Sequence, residues 1–113
     1  MSREPLDNRR FAVNKEVTHI EASGASKKVI ITVGFDKNRR VKELFCADFK
    51  AGSETQAIVM DACVLASRLM QYGDAARDLP SKLCSPTSLI GSIIKAAADE
   101  DAPHVVNEET DNA

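Results

Sequence analysis

Tryptophan is absent from this chain, and aromatic residues make up only 4% of it. The core must therefore be aliphatic, and a platform of aromatic rings on which nucleic-acid bases could stack is not expected. No apolar run approaches the roughly 20 residues that a membrane-spanning helix needs. The first residues, Met1 to Asp7, contain no apolar stretch of the signal-peptide type, so we expect no targeting segment.

Cysteine and histidine are too few and too scattered to suggest a disulfide, a metal site or a catalytic pair. Cys46, Cys63 and Cys84 are odd in number and far apart, which predicts neither a disulfide framework nor a zinc site. Unpaired thiols are typical of a reducing cytoplasm. His19, expected to be a half-exposed strand residue, and His104 have no nucleophile or ligand motif around them. We expect no catalytic residue, no metal and no cofactor.

Charge is divided unevenly along the 113 residues, whose net charge is −2. Positions 99–113 contain six acidic side chains and no basic one, so the first 98 residues have 15 basic and 11 acidic side chains, about +4 in all. This excess is too small for nucleic-acid binding to be expected. The pattern predicts a flexible N-terminus at 1–9, one domain at 10–99 and an acidic, disordered tail at 100–113.

Alternation of apolar and polar residues predicts three strands in the first half of the chain. A half-exposed strand is expected within residues 10–22, a second strand at 28–35 and a return strand at 41–49. The apolar residues expected to share a face are Val29, Ile31, Val33 and Phe35 in the second strand, and Val41, Phe45, Ala47 and Phe49 in the third. The three strands form an antiparallel meander.

The long helix predicted over residues 53–72 is apolar on most of its sides. Ser53 is its expected N-cap, Gln56 completes a capping box, and Gly73 follows its end. Its two apolar stripes are Ile58, Ala62, Leu65 and Leu69, and Val59, Cys63, Ala66 and Met70. The sheet can cover only one flank, so the last helix or a second copy of the protein must cover the other. We expect a homodimer formed through this helix.

Two further helices are predicted after the long one. A short helix is expected at about 75–79, stopping at Pro80, and a third helix is expected with Ser85 as its N-cap, Pro86 at its first position and its end near Asp99. Strands first and helices after them indicate an α+β fold, with the long helix, the short helix and the third helix packed on one sheet face.

Five residues at two predicted helix starts are candidates for ligand binding. Lys50, Gly52 and Ser53 precede the long helix, whose free N–H groups could hold a phosphate, although the same residues also suit a tight strand-to-helix turn and lack a P-loop ending. Cys84 and Ser85 lie at the predicted start of the third helix, where the helix dipole would favour a thiolate or an anion.

A basic cluster occupies the tip of the predicted hairpin. Its members are Lys37, Arg39, Arg40 and Lys42. Such a cluster is typical of a solvated turn; the alternatives are a phosphate contact or an acidic partner, which includes the chain's own acidic tail.

Five segments together resemble a known family. They are Val-Ile-Ile-Thr-Val-Gly-Phe-Asp (29–36), Val-Lys-Glu-Leu-Phe (41–45), Lys-Ala-Gly-Ser-Glu (50–54), Ala-Ser-Arg-Leu-Met-Gln-Tyr-Gly (66–73) and Cys-Ser-Pro-Thr-Ser-Leu-Ile (84–90). In this order they resemble the TSCPD domain, which occurs near the C-terminus of adenosylcobalamin-dependent (class II) ribonucleotide reductases and as short stand-alone proteins. At residues 84–87 the chain has Cys-Ser-Pro-Thr where the family has Ser-Cys-Pro-Asp.

The resemblance implies a link to deoxyribonucleotide synthesis rather than reductase activity in this chain alone. It suggests a cytoplasmic accessory or nucleotide-binding domain of the ribonucleotide reductase type, with a nucleotide or a reductase subunit as partner. Two alternatives remain open: a structural or oligomerisation protein with no nucleotide role, and an enzyme component that is active only with a partner chain.

Overall fold

A computed structural model describes residues 11–101. Three strands come first, and two helices follow, separated by two short 3₁₀ turns. The elements are β1 (Ala12–Ile20), β2 (Ser26–Phe35), β3 (Val41–Phe45), α1 (Glu54–Gln71), the turns Ala76–Asp78 and Pro80–Lys82, and α2 (Leu89–Ala98). The strands form one antiparallel sheet in the order β1-β2-β3. The predicted α+β fold is therefore confirmed.

The core lies between one face of the sheet and the two helices. The predicted alternation of β2 is confirmed, since Val29, Ile31, Val33 and Phe35 are all buried. On the helices, Val59, Cys63 and Met70 of α1 and Ile93 of α2 are buried in the same cluster. Apart from Phe35 these residues are aliphatic or contain sulfur, so within residues 11–101 the core is packed mainly from side chains without aromatic rings.

The face predicted for β3 is wrong beyond Val41. Phe35 pairs with Val41 but Gly34 pairs with Glu43, so Lys42 is an extra residue and the strand contains a β-bulge. A bulge shifts the alternation by one position. Leu44 is consequently buried and Phe45 is exposed, while Ala47 and Phe49 lie past the end of the strand.

Both ends of α1 follow the predicted signals. The Ser53 hydroxyl accepts a hydrogen bond from the Gln56 N–H at 3.1 Å, and the Gln56 side chain accepts one from the Gly52 N–H at 3.0 Å. At the other end, Gly73 has a φ of 123°, and the N–H groups of Gly73 and Asp74 donate to the carbonyls of Met70 and Leu69. This is a Schellman ending, which needs a residue that tolerates positive φ.

The predicted start of the third helix is wrong. The helix α2 begins at Leu89, and its N-cap is Ser88, whose hydroxyl accepts a hydrogen bond from the Gly91 N–H at 3.0 Å. Ser85 and Pro86 lie in the preceding loop, where the Ser85 carbonyl accepts from the Ser88 N–H at 3.1 Å. Ser88 has the same capping chemistry as Ser85 and lies closer to the apolar residues that drive the helix into the core.

The short helix predicted at 75–79 is replaced by two 3₁₀ turns, Ala76–Asp78 and Pro80–Lys82. Pro80 does not stop the structure but occupies the first position of the second turn, where its missing N–H removes no hydrogen bond. Leu79, between the turns, is buried in the core and so holds them against the domain.

The folded part extends beyond the predicted boundary at residue 99. Asp101 is only 1% exposed, and its carboxylate accepts hydrogen bonds from Arg40 and from the backbone N–H groups of Val41 and Arg77. Glu100 forms an ion pair with Lys15 at 2.9 Å. The tail assignment is therefore wrong for residues 100 and 101, because their carboxylates have partners on the sheet. The flexible N-terminus expected at 1–9 and the tail beyond Asp101 lie outside the described residues.

Candidate functional site

A row of apolar side chains runs along the solvent side of α1. Ile58 is 50% exposed, Leu65 is 65% exposed, Leu69 is 49% exposed and Tyr72 is 40% exposed. Ala62, which is half-buried, completes the row. We call these five residues the α1 seam. Their spacing of four, three, four and three residues places them on one side of the helix.

The seam is exposed because the sheet covers the opposite side of α1. Val59, Cys63, Ala66 and Met70 pack into the core and leave the seam facing outward. The sequence prediction of two apolar stripes, only one of them covered by the sheet, is thus confirmed. Within residues 11–101, α2 meets the seam beside Ile58 and leaves Leu65, Leu69 and Tyr72 exposed.

Charged residues border the seam along one edge at intervals of seven residues. Glu54 and Asp61 belong to its N-terminal half and Arg68 to its C-terminal half. The Arg68 guanidinium lies over the ring of Tyr72, 5.6 Å from its centroid. The N-terminal half of this edge is therefore acidic and its C-terminal half is basic. Such an edge is electrostatically complementary to a second copy of itself that runs in the opposite direction.

A small pocket opens at the N-terminal end of the seam, between α1 and α2. Its volume is about 180 Å³, and its walls are Thr55, Ile58, Val59, Ser88, Leu89 and Ile90. The polar groups on its walls are the hydroxyls of Thr55 and of Ser88, and the latter is already engaged as the α2 cap. The shape and lining suit an apolar or aromatic side chain.

At the predicted anion site before α1, several N–H and hydroxyl groups already form hydrogen bonds within the protein. Gly52 has a φ of 80°, and the Ser53 N–H donates to the Lys50 carbonyl at 3.0 Å, which closes a tight turn. The Gly52 N–H and the Ser53 hydroxyl are engaged by Gln56. Lys50 is exposed. The geometry matches the strand-to-helix turn that was the alternative interpretation of these residues.

Cys84 and Ser85 lie away from the helix start that they were expected to form. Both are exposed in the loop before Ser88, and Cys84 is a free thiol. The helix α2 begins at Leu89, so the helix start predicted at Cys84 and Ser85 is not formed there. The pocket is lined by Thr55 and Ser88 rather than by any of the five predicted residues.

The two remaining cysteines are buried and unsuited to chemistry. Burial raises the pKa of the Cys63 thiol to about 12 and also raises the pKa of Cys46. Both therefore remain protonated near neutral pH, and a protonated thiol is a poor nucleophile. The interpretation of Cys63 as a small apolar core residue is confirmed.

His19 is buried rather than half-exposed, so that expectation is wrong. Its Nδ1 lies 2.8 Å from the Ser92 hydroxyl, which joins β1 to α2. The sequence did not reveal this contact because the two residues are 73 positions apart.

Two members of the basic cluster at the hairpin tip form contacts within the protein. Arg40 forms a bidentate contact with Asp101, and the Lys42 ammonium donates to the Met70 carbonyl at the end of α1, at 3.0 Å. The acidic residue that meets Arg40 belongs to the chain itself, as one of the alternatives anticipated. Arg39 has a φ of 65° and closes the turn.

The described part of the chain was searched for metal-ligand clusters and for membrane-spanning helices. Residues 11–101 contain no group of three or more His, Cys, Asp or Glu side chains arranged to hold a metal ion. No helix in the same range is long and apolar enough to cross a membrane. The outer face of the sheet exposes Ile20, Ile30 and Phe45, a second and more scattered set of apolar side chains.

Comparison with protein-family models, with curated proteins and with solved structures found no match to this chain.

Proposed function

We propose that this chain is a non-catalytic accessory domain of the ribonucleotide reductase type, which acts by binding and forms a homodimer through the α1 seam. The observation that carries the binding role is the seam itself. Four large apolar side chains in a single row, each about half exposed, form the kind of contiguous apolar surface that usually marks an interaction site in a soluble protein.

The non-catalytic role is supported by the environment of the thiols. Cys46 and Cys63 are buried with raised pKa values, and Cys84 is exposed as a free thiol in a loop. Ribonucleotide reduction requires a radical cysteine and a reducing cysteine pair, which these positions do not supply. The link to deoxyribonucleotide synthesis is supported by the order of the TSCPD-like segments, from the β2 strand to the α2 start.

Exchanging Leu65 for glutamate tests the homodimer. Leu65 is the most exposed residue of the seam, so a charge placed there would be desolvated by association, and we expect the Leu65→Glu variant to have the mass of a single chain. The wild-type chain should approach twice that mass as its concentration rises from about 1 µM to 1 mM. Sedimentation equilibrium measures both.

The matched control is Val64→Glu. Val64 is the adjacent residue and is also exposed, but it lies about 100° around the helix from Leu65, off the seam. We expect this variant to associate as the wild type does. Far-UV circular dichroism melts establish that both variants fold. A single-chain mass for the wild type across the whole range would overturn the homodimer.

The nucleotide-binding form of the proposal locates the phosphate at Lys50 and at the first turn of α1. Lys50 is exposed, and the N–H groups of Glu54 and Thr55 belong to the helix start, where anions are favoured. We expect saturable binding of a deoxynucleoside triphosphate by calorimetry, weakened at least about tenfold in Lys50→Glu, because one attractive charge becomes repulsive. Lys28→Glu, at an exposed strand position, is the control.

Flat heats at millimolar nucleotide would count against this form of the proposal. The structural or oligomerisation role without nucleotide would then be the function that the seam supports. If nucleotide binding were unchanged in Lys50→Glu, the binding site would have to lie elsewhere than at the start of α1.

A further inference from the structure

We infer that two copies of this chain pair through antiparallel α1 helices, with Asp61 of each copy beside Arg68 of the other and with Tyr72 of each copy seated in the other's pocket. This inference rests on the homodimer proposed above and specifies its geometry. Its evidence is the heptad pattern of α1, the placement of charge along the seam, and the position of the pocket.

The seam has the spacing of a coiled-coil core. Ala62 and Leu69 occupy a positions, and Ile58, Leu65 and Tyr72 occupy d positions of a heptad. The residues at d are the larger ones. A helix with this pattern packs against a second helix with its a and d side chains inserted between those of the partner.

The flanking positions decide the direction of the partner helix. The e positions are Val59 and Ala66, which are apolar and buried against the chain's own core. The g positions are Glu54, Asp61 and Arg68, which are exposed. Parallel helices pair g with e of the partner, so their charges would find no opposite charge. Antiparallel helices pair g with g, so Asp61 of one copy meets the partner's Arg68.

Twofold symmetry doubles this contact. When Asp61 contacts the partner's Arg68, the partner's Asp61 contacts Arg68 of the first copy. Antiparallel α1 helices also bring the positive N-terminal end of each dipole toward the negative C-terminal end of the other. Within residues 11–101, Asp61 and Arg68 take part in no ion pair, so both charges face solvent and can reach a partner.

The register that pairs these charges also aligns the apolar residues. With the twofold axis crossing α1 near residue 64, Leu65 lies beside the partner's Ala62 and Leu69 lies beside the partner's Ile58. A large side chain then faces a small one, or two large ones interdigitate, as close packing requires.

The same register brings Tyr72 to the level of the partner's Thr55. Thr55 lines the pocket between α1 and α2, together with Leu89 and Ile90. The pocket, at about 180 Å³, has room for a phenol ring. An aromatic side chain seated in an apolar pocket is the usual anchor of a protein interface, and its hydroxyl remains near the polar rim.

The size of the seam sets the expected strength of association. A helix of 18 residues is about 27 Å long, so two such helices bury less than the roughly 800 Å² per partner of a standard interface. We therefore expect a dissociation constant on the order of micromolar at low salt, within reach of sedimentation equilibrium.

Charge exchange at the two g positions tests the direction of pairing. In Asp61→Arg and in Arg68→Asp, each homodimer has two like-charge contacts, and we expect its dissociation constant to rise at least about tenfold at low salt. An equimolar mixture of the two variants should form a heterodimer, because positions 61 and 68 are then both basic in one copy and both acidic in the other. The double variant Asp61→Arg/Arg68→Asp should return to within about threefold of the wild type.

Tyr72→Ala tests the pocket. We expect it to weaken association at least about tenfold by removing the anchor, whereas Phe45→Ala, on the outer face of the sheet, should leave association unchanged. Circular dichroism melts check that each variant folds.

The outcomes separate this inference from the homodimer on which it rests. If the wild type associates and Leu65→Glu abolishes association, but neither the mixture nor the double variant recovers it, the antiparallel pairing is wrong and the homodimer stands. If Tyr72→Ala associates like the wild type, the Tyr72 side chain does not bind in the partner's pocket. If the wild type has the mass of one chain at every concentration, both proposals fall together.

Discussion

We expect the Asp101→Ala variant to lose about 3 kcal/mol of the free energy of unfolding, because at least three groups depend on that carboxylate. It accepts hydrogen bonds from the Arg40 guanidinium at 2.9 Å, from the buried Val41 N–H at 3.2 Å and from the Arg77 N–H at 3.3 Å. These contacts join the residue just after α2 to the hairpin and to the first 3₁₀ turn. Urea denaturation followed by circular dichroism measures the loss.

Asp99→Ala is the matched control for Asp101→Ala. Asp99 is exposed and pairs with Lys95 one helical turn away at 3.5 Å, a kind of contact that contributes little in water. We expect a change within about 0.5 kcal/mol for this variant. Equal losses for the two variants would show that Asp101 has no special structural role.

The same carboxylate makes stability depend on pH. Burial raises the pKa of Asp101, but the hydrogen bonds from Arg40, Val41 and Arg77 and the charge of Arg40 outweigh burial, so its pKa lies below the ordinary value of 3.8. The folded protein therefore binds the proton more weakly than the unfolded chain does. The contribution of Asp101 is complete above the unfolded pKa and is lost as pH falls through the folded pKa. The Asp101→Ala variant should lose less stability than the wild type between about pH 5 and pH 2.

The sequence correctly predicted the elements that depend on residues close to one another in the chain. The alternation of Val29, Ile31 and Val33 is enough to define β2, since each residue's face follows from period two. The ends of α1 were predicted from Ser53 and Gly73, because a cap hydroxyl and a positive-φ glycine act within a few residues of the helix end.

Features that depend on distant contacts were beyond sequence reasoning. The burial of Asp101 depends on Arg40, and the two residues are 61 positions apart, so no local pattern predicts the pair. The bulge at Lys42 reversed the faces of Leu44 and Phe45, because its cause is the pairing with β2 and not the composition of β3. At α2, the cap is Ser88 and not the predicted Ser85, which lies in the loop that packs over the first turn of the helix.

The same distinction between local and distant causes applies to the α1 seam and the pocket beside it. The exposed row on α1 followed from the helical period, since one sheet face cannot cover a helix that is apolar on most sides. The pocket beside Ile58 could not be predicted, because it depends on where Leu89 and Ile90 of α2 meet α1. The sequence pattern identifies Tyr72 only as the last residue of the long helix. The structure shows that its ring is exposed on the seam and contacts the Arg68 guanidinium, and for this reason we include Tyr72 in the proposed interface.

The Gly91→Ala variant is expected to lose about 3 kcal/mol or more of stability, although alanine is the better helix former. In an ordinary helix interior the same change would gain about 1 kcal/mol. Here a Cβ at position 91 would overlap with the carbonyl group of Pro86 and would lie 2.9 Å from the Pro86 Cα. These are backbone atoms, so no side chain can rotate away, and the loop over the first turn of α2 must move.

Gly24→Ala separates this steric cost from the general cost of replacing a glycine. Gly24 has a φ of 93° but open space around the Cβ position, so its change should cost only about 1 kcal/mol of backbone strain. Thermal and urea unfolding of the two variants compare them directly. If Gly91→Ala were as stable as the wild type, the Pro86 carbonyl could not rest against the first turn of α2. The loop that carries Cys84 and Ser85 to the Ser88 cap, and the pocket wall that Leu89 and Ile90 form beside α1, would then have to be placed differently.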